Sequence, residues 1–227
     1  MTTKMRVTET IESYLESIYN MQDEGKKVIA ARLAERLGVK PPTVSQTLQR
    51  LTRDGLIRID GYEIALTKKG REVAEATIRR HRLVERFMTD FLGIGWALAH
   101  AEAEKLQHAM SDLIEQKMAE ALGHPTSCPH GNPIPGMQST KLPSDAVTLD
   151  ASSAGQRVII LRITEEGERD PRLLDYLQKS NLVPGTRVTV EEVAPWSGVI
   201  TLTVADTKVP LGLKAARTIW AQPVNVH

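Results

Sequence analysis

The sequence predicts an α+β fold built from three successive parts. Two short helical segments joined by a proline-containing turn lie near the start, and two short hydrophobic strands follow them. Longer segments with the period of an amphipathic helix occupy the middle of the chain. Short β-branched segments separated by glycine and proline fill the last third, which is typical of a small β-barrel or sandwich.

The composition and the charge are those of an ordinary globular protein. Hydrophobic residues make up 41% of the 227 residues and charged residues 25%, and the single cysteine, Cys128, excludes an intrachain disulfide. The N-terminus lacks the apolar core of a signal peptide, and no apolar run approaches ~18 residues. We therefore expect a cytoplasmic protein with no membrane partner. Residues 1–80 carry 15 Lys and Arg against 11 Asp and Glu, and this net charge of +4 favours an anionic partner.

The N-terminal part begins with two predicted helices. Residues 8–22 place apolar side chains at helical spacing behind threonines that can cap a helix. Residues 28–38 predict a shorter helix that ends at Gly38, since glycine is the usual residue just past a helix C-terminus.

A tight turn, a further helix and a hairpin come next. The two prolines of residues 39–42 (VKPP) cannot continue the preceding helix, so they predict a turn. The next helix starts at about Pro42 or Thr43 and runs to Gly55. Within residues 56–67, the segments LIRID and EIALT predict the two strands of a β-hairpin.

This order of elements is that of a winged helix-turn-helix, whose second helix enters the DNA major groove. Serine, threonine and glutamine can contact base edges, while lysine and arginine can bind phosphates. The predicted second helix and the turn before it carry both kinds of side chain, together with an exposed proline: Lys40, Pro42, Thr43, Ser45, Gln46, Gln49 and Arg50. We expect these residues to bind double-stranded DNA. The alternative is an ordinary helical hairpin whose polar side chains face solvent and bind nothing.

The middle of the chain predicts long helices. Residues 68–93 have continuous helical periodicity, and residues 96–123 resume it after the bend at Gly93 and Gly95. Residues 124–145 contain five prolines and predict a linker or wrapping loop without regular structure. Beyond them, the strand-like segments are RVIILRI, TRVTVEEV, GVITLTVAD, TKVPL and RTIWAQPV, with one helix predicted at PRLLDYLQKSN.

Three of the six histidines lie in the predicted helical region, and each has a carboxylate four residues away. The pairs are His81 with Glu85, His100 with Glu104, and Glu104 with His108. Residues four apart share one helical face, so each pair presents neighbouring side chains. If the two helices pack antiparallel across the glycine bend, then His81, Glu85 and His100 converge. Mixed nitrogen and oxygen ligands suit manganese, iron, cobalt or zinc.

Two alternatives to a regulatory or structural metal site stay open at this point. Such pairs are often solvated on a helix surface, without any metal. An enzymatic site is the other alternative, but the sequence contains no HExxH motif, no Ser/His/Asp order and no glycine-rich phosphate loop. We therefore expect that the protein is not an enzyme.

Several segments of the chain carry a resemblance to a known family. They are SYLESIY, RLAERL, PPTVSQTLQRLTRDGL, LTKKGREVA, RRHRLVERF, AHAEAEKLQHAMSD and PHGNPIPG. In these segments the chain resembles the diphtheria-toxin-repressor family of metal-dependent transcriptional repressors, closely over residues 8–136 and more loosely beyond. The resemblance implies a winged helix-turn-helix domain (1–72), a helical metal-binding and dimerisation domain with a Pro-rich linker (73–140), and a small SH3-like, FeoA-type β-barrel (141–227).

The resemblance also implies two metal sites in each subunit. The ancillary-type site would use His81, Glu85 and His100, all of which are present. A further carboxylate would come from the C-terminal domain, where Glu168 and Asp170 are the candidates.

The primary-type site departs from the family's pattern. Its positions here are Ser13, Glu104, Gln107 and His108. Ser13 and Gln107 replace strong ligands, so we expect Glu12 or Glu16 to approach from the first helix and Gln107 to coordinate through its carbonyl oxygen. A carboxylate at position 104 instead of a thiolate favours manganese, which prefers hard oxygen ligands.

The function implied is that of a homodimeric repressor of metal-homeostasis genes that binds a palindromic DNA operator when its metal is bound. Mn(II) is the expected metal, Fe(II) is the alternative, and other divalent transition metals are expected to bind in vitro. The alternative function is DNA binding that is independent of metal, with a purely structural metal site.

Cys128 lies near His124 and His130 in the Pro-rich stretch, and we expect that stretch to wrap the surface and not to bind metal.

Overall fold

The computed structural model describes residues 7–138 and 141–224, which fall into two compact units. Unit 1 contains the described residues up to Arg80 together with Gln107–Met110. Unit 2 contains His81–Leu106 and the described residues from Ser111 onward. Both units contain helices and strands, so the predicted α+β class is confirmed.

Unit 1 has the order of a winged helix-turn-helix. Its elements are α1 (Glu9–Asp23), α2 (Ala30–Leu37), α3 (Pro41–Arg53), β1 (Ile57–Asp60), β2 (Glu63–Leu66) and the first half of α4 (Lys68–Asp90). The strands β1 and β2 form an antiparallel hairpin in which Ile57 lies opposite Leu66. The predicted helices and hairpin are therefore confirmed, with α3 starting one or two residues earlier than expected.

Local chemistry explains where these helices begin and end. The Thr8 side chain accepts a hydrogen bond from the Ile11 amide at the start of α1. Gly38 ends α2 with a φ of 64°, a left-handed conformation that other residues rarely adopt. The first two positions of α3 are Pro41 and Pro42, where a missing amide hydrogen costs no helical hydrogen bond. The two prolines thus begin α3 and do not merely precede it.

The core of unit 1 is almost entirely aliphatic. The buried face of α3 consists of Val44, Leu48 and Leu51, which share one cluster with Leu33 of α2. The remaining fully buried members include Ile11, Leu15, Ile18, Val28 and Leu56. Ile29 is half-buried at the start of α2, and the preceding residue, Val28, is buried.

The helices of unit 2 are the rest of α4, α5 (Trp96–Leu106) and α6 (Asp112–Ala121). The prediction of one continuous helical segment over residues 96–123 is wrong. The chain leaves the helix after Leu106, and Ser111 starts α6 by accepting a hydrogen bond from the Ile114 amide at 3.3 Å. Helical periodicity did not reveal this break because apolar side chains continue on both sides of it.

The C-terminal part of unit 2 is a six-stranded antiparallel sheet. Its strands are β3 (Val147–Thr148), β4 (Arg157–Ile163), β5 (Arg187–Ala194), β6 (Val199–Val204), β7 (Thr207–Gly212) and β8 (Ile219–Pro223). They are hydrogen-bonded in the order β3-β8-β4-β5-β6-β7. Three short helices accompany them: α7 (Glu165–Glu168), α8 (Pro171–Lys179) and α9 (Leu213–Ala216). Of these, α8 was predicted, whereas β3, α7 and α9 are too short to show a period.

The core of this sheet includes a residue from the helical part of the chain. Trp96, the first residue of α5, is buried in the same cluster as the aliphatic residues of the strands. Its backbone amide donates a hydrogen bond to Gln178 Oε1 of α8 at 2.9 Å. Trp196, in contrast, is 80% exposed. Among the described residues, the helices are all too short or too polar to span a membrane.

Candidate metal centres and DNA-binding surface

The α3 helix exposes the side chains that the sequence predicts for DNA binding. Val44, Leu48 and Leu51 fix which face of the helix is buried. The predicted residues are all exposed, on α3 or just before it: Lys40, Pro42, Thr43, Ser45, Gln46, Gln49 and Arg50. Their contact with DNA remains a prediction.

A first group of metal-ligand side chains lies where α4 meets α5. His81 Nε2 is 3.0 Å from Glu85 Oε1, His100 Nδ1 is 2.8 Å from the same oxygen, and the two ring nitrogens are 3.3 Å apart. Ligand atoms about 2.1 Å from a metal lie about 3.0 Å from one another in an octahedral site. The three side chains that spacing predicts to converge do converge, with separations that fit an octahedral ion.

A second group shares Glu85 with the first. His130 Nδ1 lies 3.6 Å from Glu85 Oε1, 3.8 Å from Cys128 Sγ and 3.2 Å from Glu168 Oε1. Ligands about 2.1 to 2.3 Å from a metal lie about 3.4 to 3.8 Å apart in a tetrahedral site. We call these side chains and those of the first group the buried cluster, which comprises His81, Glu85, His100, Cys128, His130 and Glu168.

Two buried atoms of the cluster have unused binding capacity. Glu85 Oε2 and His130 Nε2 are buried and have no hydrogen-bond partner among the described residues. Leaving such atoms unpaired costs about 1 to 3 kcal/mol each, and more for a charged group. Glu85 is fully buried, and a carboxylate with one oxygen between three histidines and a second, unpaired oxygen fits metal ligation.

The charges in the buried cluster stabilise one another. Burial raises the pKa of Glu85, but the neighbouring His81 and His130 outweigh burial and hold that pKa well below its usual value. Burial lowers the pKa of His130, and the carboxylates of Glu168 and Glu85 reverse this and raise it well above the usual value. Burial, helped by the same two carboxylates, raises the pKa of the Cys128 thiol to about 11. Cys128 is therefore a neutral thiol without metal, and a cation is needed to make it a thiolate ligand.

Neighbouring residues orient the ligands of the second group. The Asn132 side chain donates hydrogen bonds to Glu168 and to the backbone oxygen of Ile163, at 2.7 Å from the latter. The Trp96 ring meets the His130 ring edge-on, with centroids 4.7 Å apart. Gly131 has a φ of 86°, and a Cβ there would lie 2.2 Å from the backbone oxygen of Leu161. Only glycine lets this loop approach the sheet so closely.

Arg82 joins the loop to the C-terminal sheet domain beside the cluster. Its guanidinium is buried and donates to the Pro133 backbone oxygen and to Glu165 Oε1, the latter at 2.5 Å. Burial lowers the pKa of Arg82, but Glu165 and other acidic neighbours more than compensate and raise it. Arg82 thus connects the loop that carries Cys128 with the short helix α7 that carries Glu168.

A separate polar group, contained in unit 1, brings α1 next to residues 107 and 108. His108 Nδ1 donates to Glu12 Oε2 at 2.5 Å, and Gln107 Nε2 donates to Glu16 Oε2 at 3.2 Å. Gln107 Nε2 also lies 3.2 Å from His108 Nε2, which accepts its hydrogen. Glu12 and Glu16 are four residues apart on α1 and therefore point the same way. We call Glu12, Glu16, Gln107 and His108 the unit 1 cluster.

The unit 1 cluster contains only nitrogen and oxygen ligands. Its hydrogen bonds place the His108 proton on Nδ1, which leaves Nε2 as the atom for a metal and Glu12 as the group that orients the ring. Rotating the Gln107 amide by 180° would exchange its NH2 group for its carbonyl oxygen. Glu16, Gln107 and His108 would then offer two oxygens and one nitrogen to a cation.

Three other predicted ligands lie elsewhere. Ser13 donates its hydroxyl hydrogen to the backbone oxygen of Glu9. Glu104 is 65% exposed, and its carboxylate is 4.0 Å from His100 Nε2. Asp170 is exposed and starts α8 by accepting the Arg172 and Leu173 amides, so the structure does not bring it into the buried cluster. Its role as a ligand stays a prediction, whereas Glu168 lies within the buried cluster.

Metal ligands were not expected in the Pro-rich loop. Cys128 and His130 lie next to Glu85, although we expected their loop only to wrap the surface. The sequence signal that could have indicated these ligands is the spacing of Cys128 and His130, since two residue types that bind metals stand two positions apart there. His124, which was considered with them, belongs to neither group of potential metal ligands found among the described residues.

Three family models match the chain and together cover nearly all of it. The model of the iron dependent repressor N-terminal DNA-binding domain matches residues 6–65. The model of the iron dependent repressor metal binding and dimerisation domain matches residues 67–136. The FeoA domain model matches residues 147–223.

Curated relatives and solved structures agree with these models. The iron-dependent repressor IdeR of Mycobacterium leprae is 37% identical over 96% of this chain and 99% of its own length. The diphtheria toxin repressor of Corynebacterium diphtheriae is 34% identical over 94% of this chain and 96% of its own. A solved manganese-dependent transcriptional repressor in complex with manganese is 34% identical, covers 94% of this chain and all of its own, and superposes with a TM-score of 0.84.

Proposed function

Because the chain belongs to the iron-dependent repressor family, we propose that it is a manganese-responsive repressor that binds a palindromic operator as a dimer. Membership of the family makes it a metal-dependent transcriptional regulator that binds DNA, and not an enzyme. The identity of the metal, the symmetry of the operator and the ligands are our proposal. So are the domain boundaries at residues 72/73 and 140/141, of which the second lies in the gap between two matched family models.

The observation that carries the choice of metal is the absence of sulfur from the unit 1 cluster. Glu16, Gln107 and His108 offer carboxylate oxygen, amide oxygen and imidazole nitrogen. Hard oxygen ligands suit Mn(II), whereas thiolates favour softer ions such as zinc. A solved relative that is 34% identical over nearly the whole chain is described as a manganese-dependent repressor in complex with manganese.

The unit 1 cluster also explains how metal would change DNA binding. Its carboxylates belong to α1, which packs with α2 and α3 in one hydrophobic core. A bound ion supplies a positive charge that holds Glu16 of α1 against Gln107 and His108, which fixes α1. A metal that binds this arrangement better than a loosened one shifts the population towards it, and DNA must in turn tighten metal binding.

The buried cluster has a different role in this proposal. Its ligands come from α4, α5, the Pro-rich loop and α7, all of which belong to unit 2. An ion there would hold Cys128 and His130 of the loop and Glu168 of α7 on the helices of the same unit. We infer that it stabilises unit 2, with Glu85 common to both of its ligand groups.

Dimer formation fits the exposed apolar residues on α5 and α6. Leu98, Leu106, Leu113 and Ile114 are between 45% and 67% exposed, which is unusual for large aliphatic side chains. A matched family model describes residues 67–136 as a dimerisation domain. We propose that a second copy of the chain covers these residues, and that the two α3 helices then meet half-sites about 34 Å apart.

The test is fluorescence anisotropy of a duplex from the protein's own promoter region. Protein is titrated first in chelator and then with Mn²⁺, anaerobic Fe²⁺ or Zn²⁺, at one salt concentration because phosphate contacts make affinity salt-dependent. We expect Mn²⁺ to tighten binding severalfold or more, and the other ions to have less effect. His108→Ala should abolish this tightening, while Cys128→Ser, a change in the buried cluster, should leave most of it.

The proposal would be contradicted if the affinity for the operator were the same with and without each metal. That outcome would favour the second candidate function, a DNA-binding protein whose metal is purely structural. The buried cluster is the observation that favours this candidate, since it lies outside the unit that contains α3. An equal loss of the metal effect in the His108 and Cys128 variants would contradict the division of roles between the two clusters.

A further inference from the structure

Two carboxamide side chains stand on the exposed face of α3. Gln46 and Gln49 are both exposed, and neither contacts another side chain through a hydrogen bond within the described part of the chain. Residues three apart on a helix are neighbours, with Cβ atoms about 5 to 6 Å apart. The buried Val44 and Leu48 hold the opposite face in the core, so both amides point away from the protein body.

The hydroxyl groups of α3 are less able to discriminate bases. Ser45 donates its hydroxyl hydrogen to the Pro41 backbone oxygen at 3.2 Å, and Thr47 donates to the Thr43 oxygen at 2.9 Å. Each of these hydroxyls donates its only hydrogen to the backbone of α3, so it can only accept a hydrogen bond from a base. A hydroxyl such as that of Thr43 makes a single hydrogen bond, which suits several bases equally.

The two arginines at the end of α3 are held by a carboxylate. Arg53 Nε lies 3.2 Å from Asp54 Oδ1, and Arg50 Nε lies 3.8 Å from Asp54 Oδ2. Both pairs are solvent-exposed on the arginine side, so the guanidinium groups suit phosphates better than base edges. Sequence discrimination by α3 therefore falls to the two amides.

We propose that Gln49, which stands beside Gln46 on α3, forms a bidentate pair with one adenine in each half-site. This inference rests on the proposed DNA-binding function and adds the base preference of the same surface. An amide offers one donor and one acceptor, which match N7 and the N6 amino group of adenine in the major groove.

The test starts with selection from a library of randomised duplexes by the full chain loaded with Mn²⁺. Wild-type protein is compared with Gln49→Ala, Gln49→Glu and the control Thr52→Ala, which changes an exposed residue of α3 outside the proposed DNA-binding set. We expect Gln49→Ala to lose the preference at one position of each half-site, and to bind the selected duplex about 5- to 150-fold more weakly. Gln49→Glu should select cytosine at that position, since a carboxylate accepts from the cytosine N4 amino group. Thr52→Ala should select the wild-type motif.

A modified base checks the contact itself. Replacing the adenine at that position by 7-deazaadenine removes the N7 acceptor, which should weaken binding by wild type and leave Gln49→Ala unchanged. A structural role of Gln49 would instead weaken binding to every duplex equally and would not change the selected base.

Two results would overturn the inference. One contradicts the base assignment alone, and the other also contradicts the proposed operator-binding function. If the Gln49 variants select the wild-type motif, or 7-deazaadenine weakens wild type and Gln49→Ala equally, only the base assignment falls. If wild-type protein with Mn²⁺ enriches no sequence at all, the proposed operator-binding function falls with it.

Discussion

Glu85→Gln is the change that tests most directly whether the two ligand groups of the buried cluster share one carboxylate. Glu85 Oε1 lies within 3.0 Å of ring nitrogens of both His81 and His100, and 3.6 Å from that of His130. Glutamine has nearly the same size and keeps one oxygen, so the substitution removes the negative charge and little volume. Because both ligand groups include Glu85, both should lose metal affinity. His81→Ala and Cys128→Ser should each weaken one group only.

The size of the effect follows from linkage. Changing a residue that merely orients a ligand costs 10- to 100-fold in metal affinity, so losing a charged ligand should cost at least about 100-fold. At about 1,000 times its dissociation constant, a metal stabilises the folded state by about 4.1 kcal/mol. After a 100-fold loss the same concentration is only about 10 times the constant, and the stabilisation falls to about 1.4 kcal/mol. The metal-induced rise in Tm should then shrink from about 8–16 °C to about 3–6 °C.

The assay is thermal unfolding of each variant in chelator and in excess metal, followed by circular dichroism. The difference between the two conditions isolates the metal effect, because removing a buried charge also changes the stability of the metal-free protein. Isothermal titration with Mn²⁺ and Zn²⁺ gives the number of ions that each variant binds. If the metal-induced shift of Glu85→Gln equals that of wild type, Glu85 is not a ligand and the shared-ligand arrangement is refuted.

Three further substitutions test other parts of the structure. Arg82→Ala should lower the free energy of unfolding by about 3–5 kcal/mol in denaturant titrations, because it leaves the Glu165 carboxylate without its partner; an unchanged midpoint would contradict the pairing. Leu113→Glu places a charge on a side chain that is 63% exposed, so light scattering should show a monomer with unchanged circular dichroism. Gly70→Ala should destabilise by about 1–3 kcal/mol, because its Cβ would lie 1.9 Å from a backbone oxygen, whereas Gly212→Ala meets no atom within 4 Å.

The convergence of His81, Glu85 and His100 was predictable because it depends on two regular features of the sequence. Helical spacing places His81 and Glu85 on one face of α4, and the glycine bend lets α5 return alongside it. The same reasoning located α3 and its exposed side chains, since two prolines and one apolar stripe determine where it starts and which face is buried. Periodic segments carry enough information for such predictions.

The Pro-rich loop lacks a period, so its contribution could not be predicted in the same way. Cys128 and His130 reach Glu85 because Gly131 permits a close approach to β4 and because Asn132 and Arg82 hold the loop on the C-terminal sheet domain. These are contacts between residues far apart in the sequence. Only Glu168 was anticipated on the other side, and it came from the family resemblance and not from a pattern.

In α1, the residue at the family's ligand position is not the one whose side chain faces the other ligands. The resemblance assigns the ligand position to Ser13, but successive residues on a helix point about 100° apart. Glu12 and Glu16 lie on the face that meets Gln107 and His108, while the Ser13 hydroxyl bonds back to its own helix. A carboxylate one turn away can thus replace a ligand lost at Ser13 without any change in the helix. The loss of the usual ligand type at Ser13 is therefore compatible with a working switch, provided that Gln107 presents its oxygen.

We propose that the two clusters prefer different ions, because their ligand atoms differ. The unit 1 cluster offers hard oxygen and imidazole ligands, and one end of it belongs to α1, whose core neighbours include α3. The buried cluster adds the Cys128 thiol, whose raised pKa means that only a cation with real affinity for sulfur can displace its proton. A hard ion such as Mn²⁺ gains little binding affinity from that thiolate. It therefore loses little affinity in the unit 1 cluster, which contains no thiolate. An ion changes DNA affinity only through its differential affinity for two states of α1. The response to manganese that we propose therefore depends on the sulfur-free unit 1 cluster.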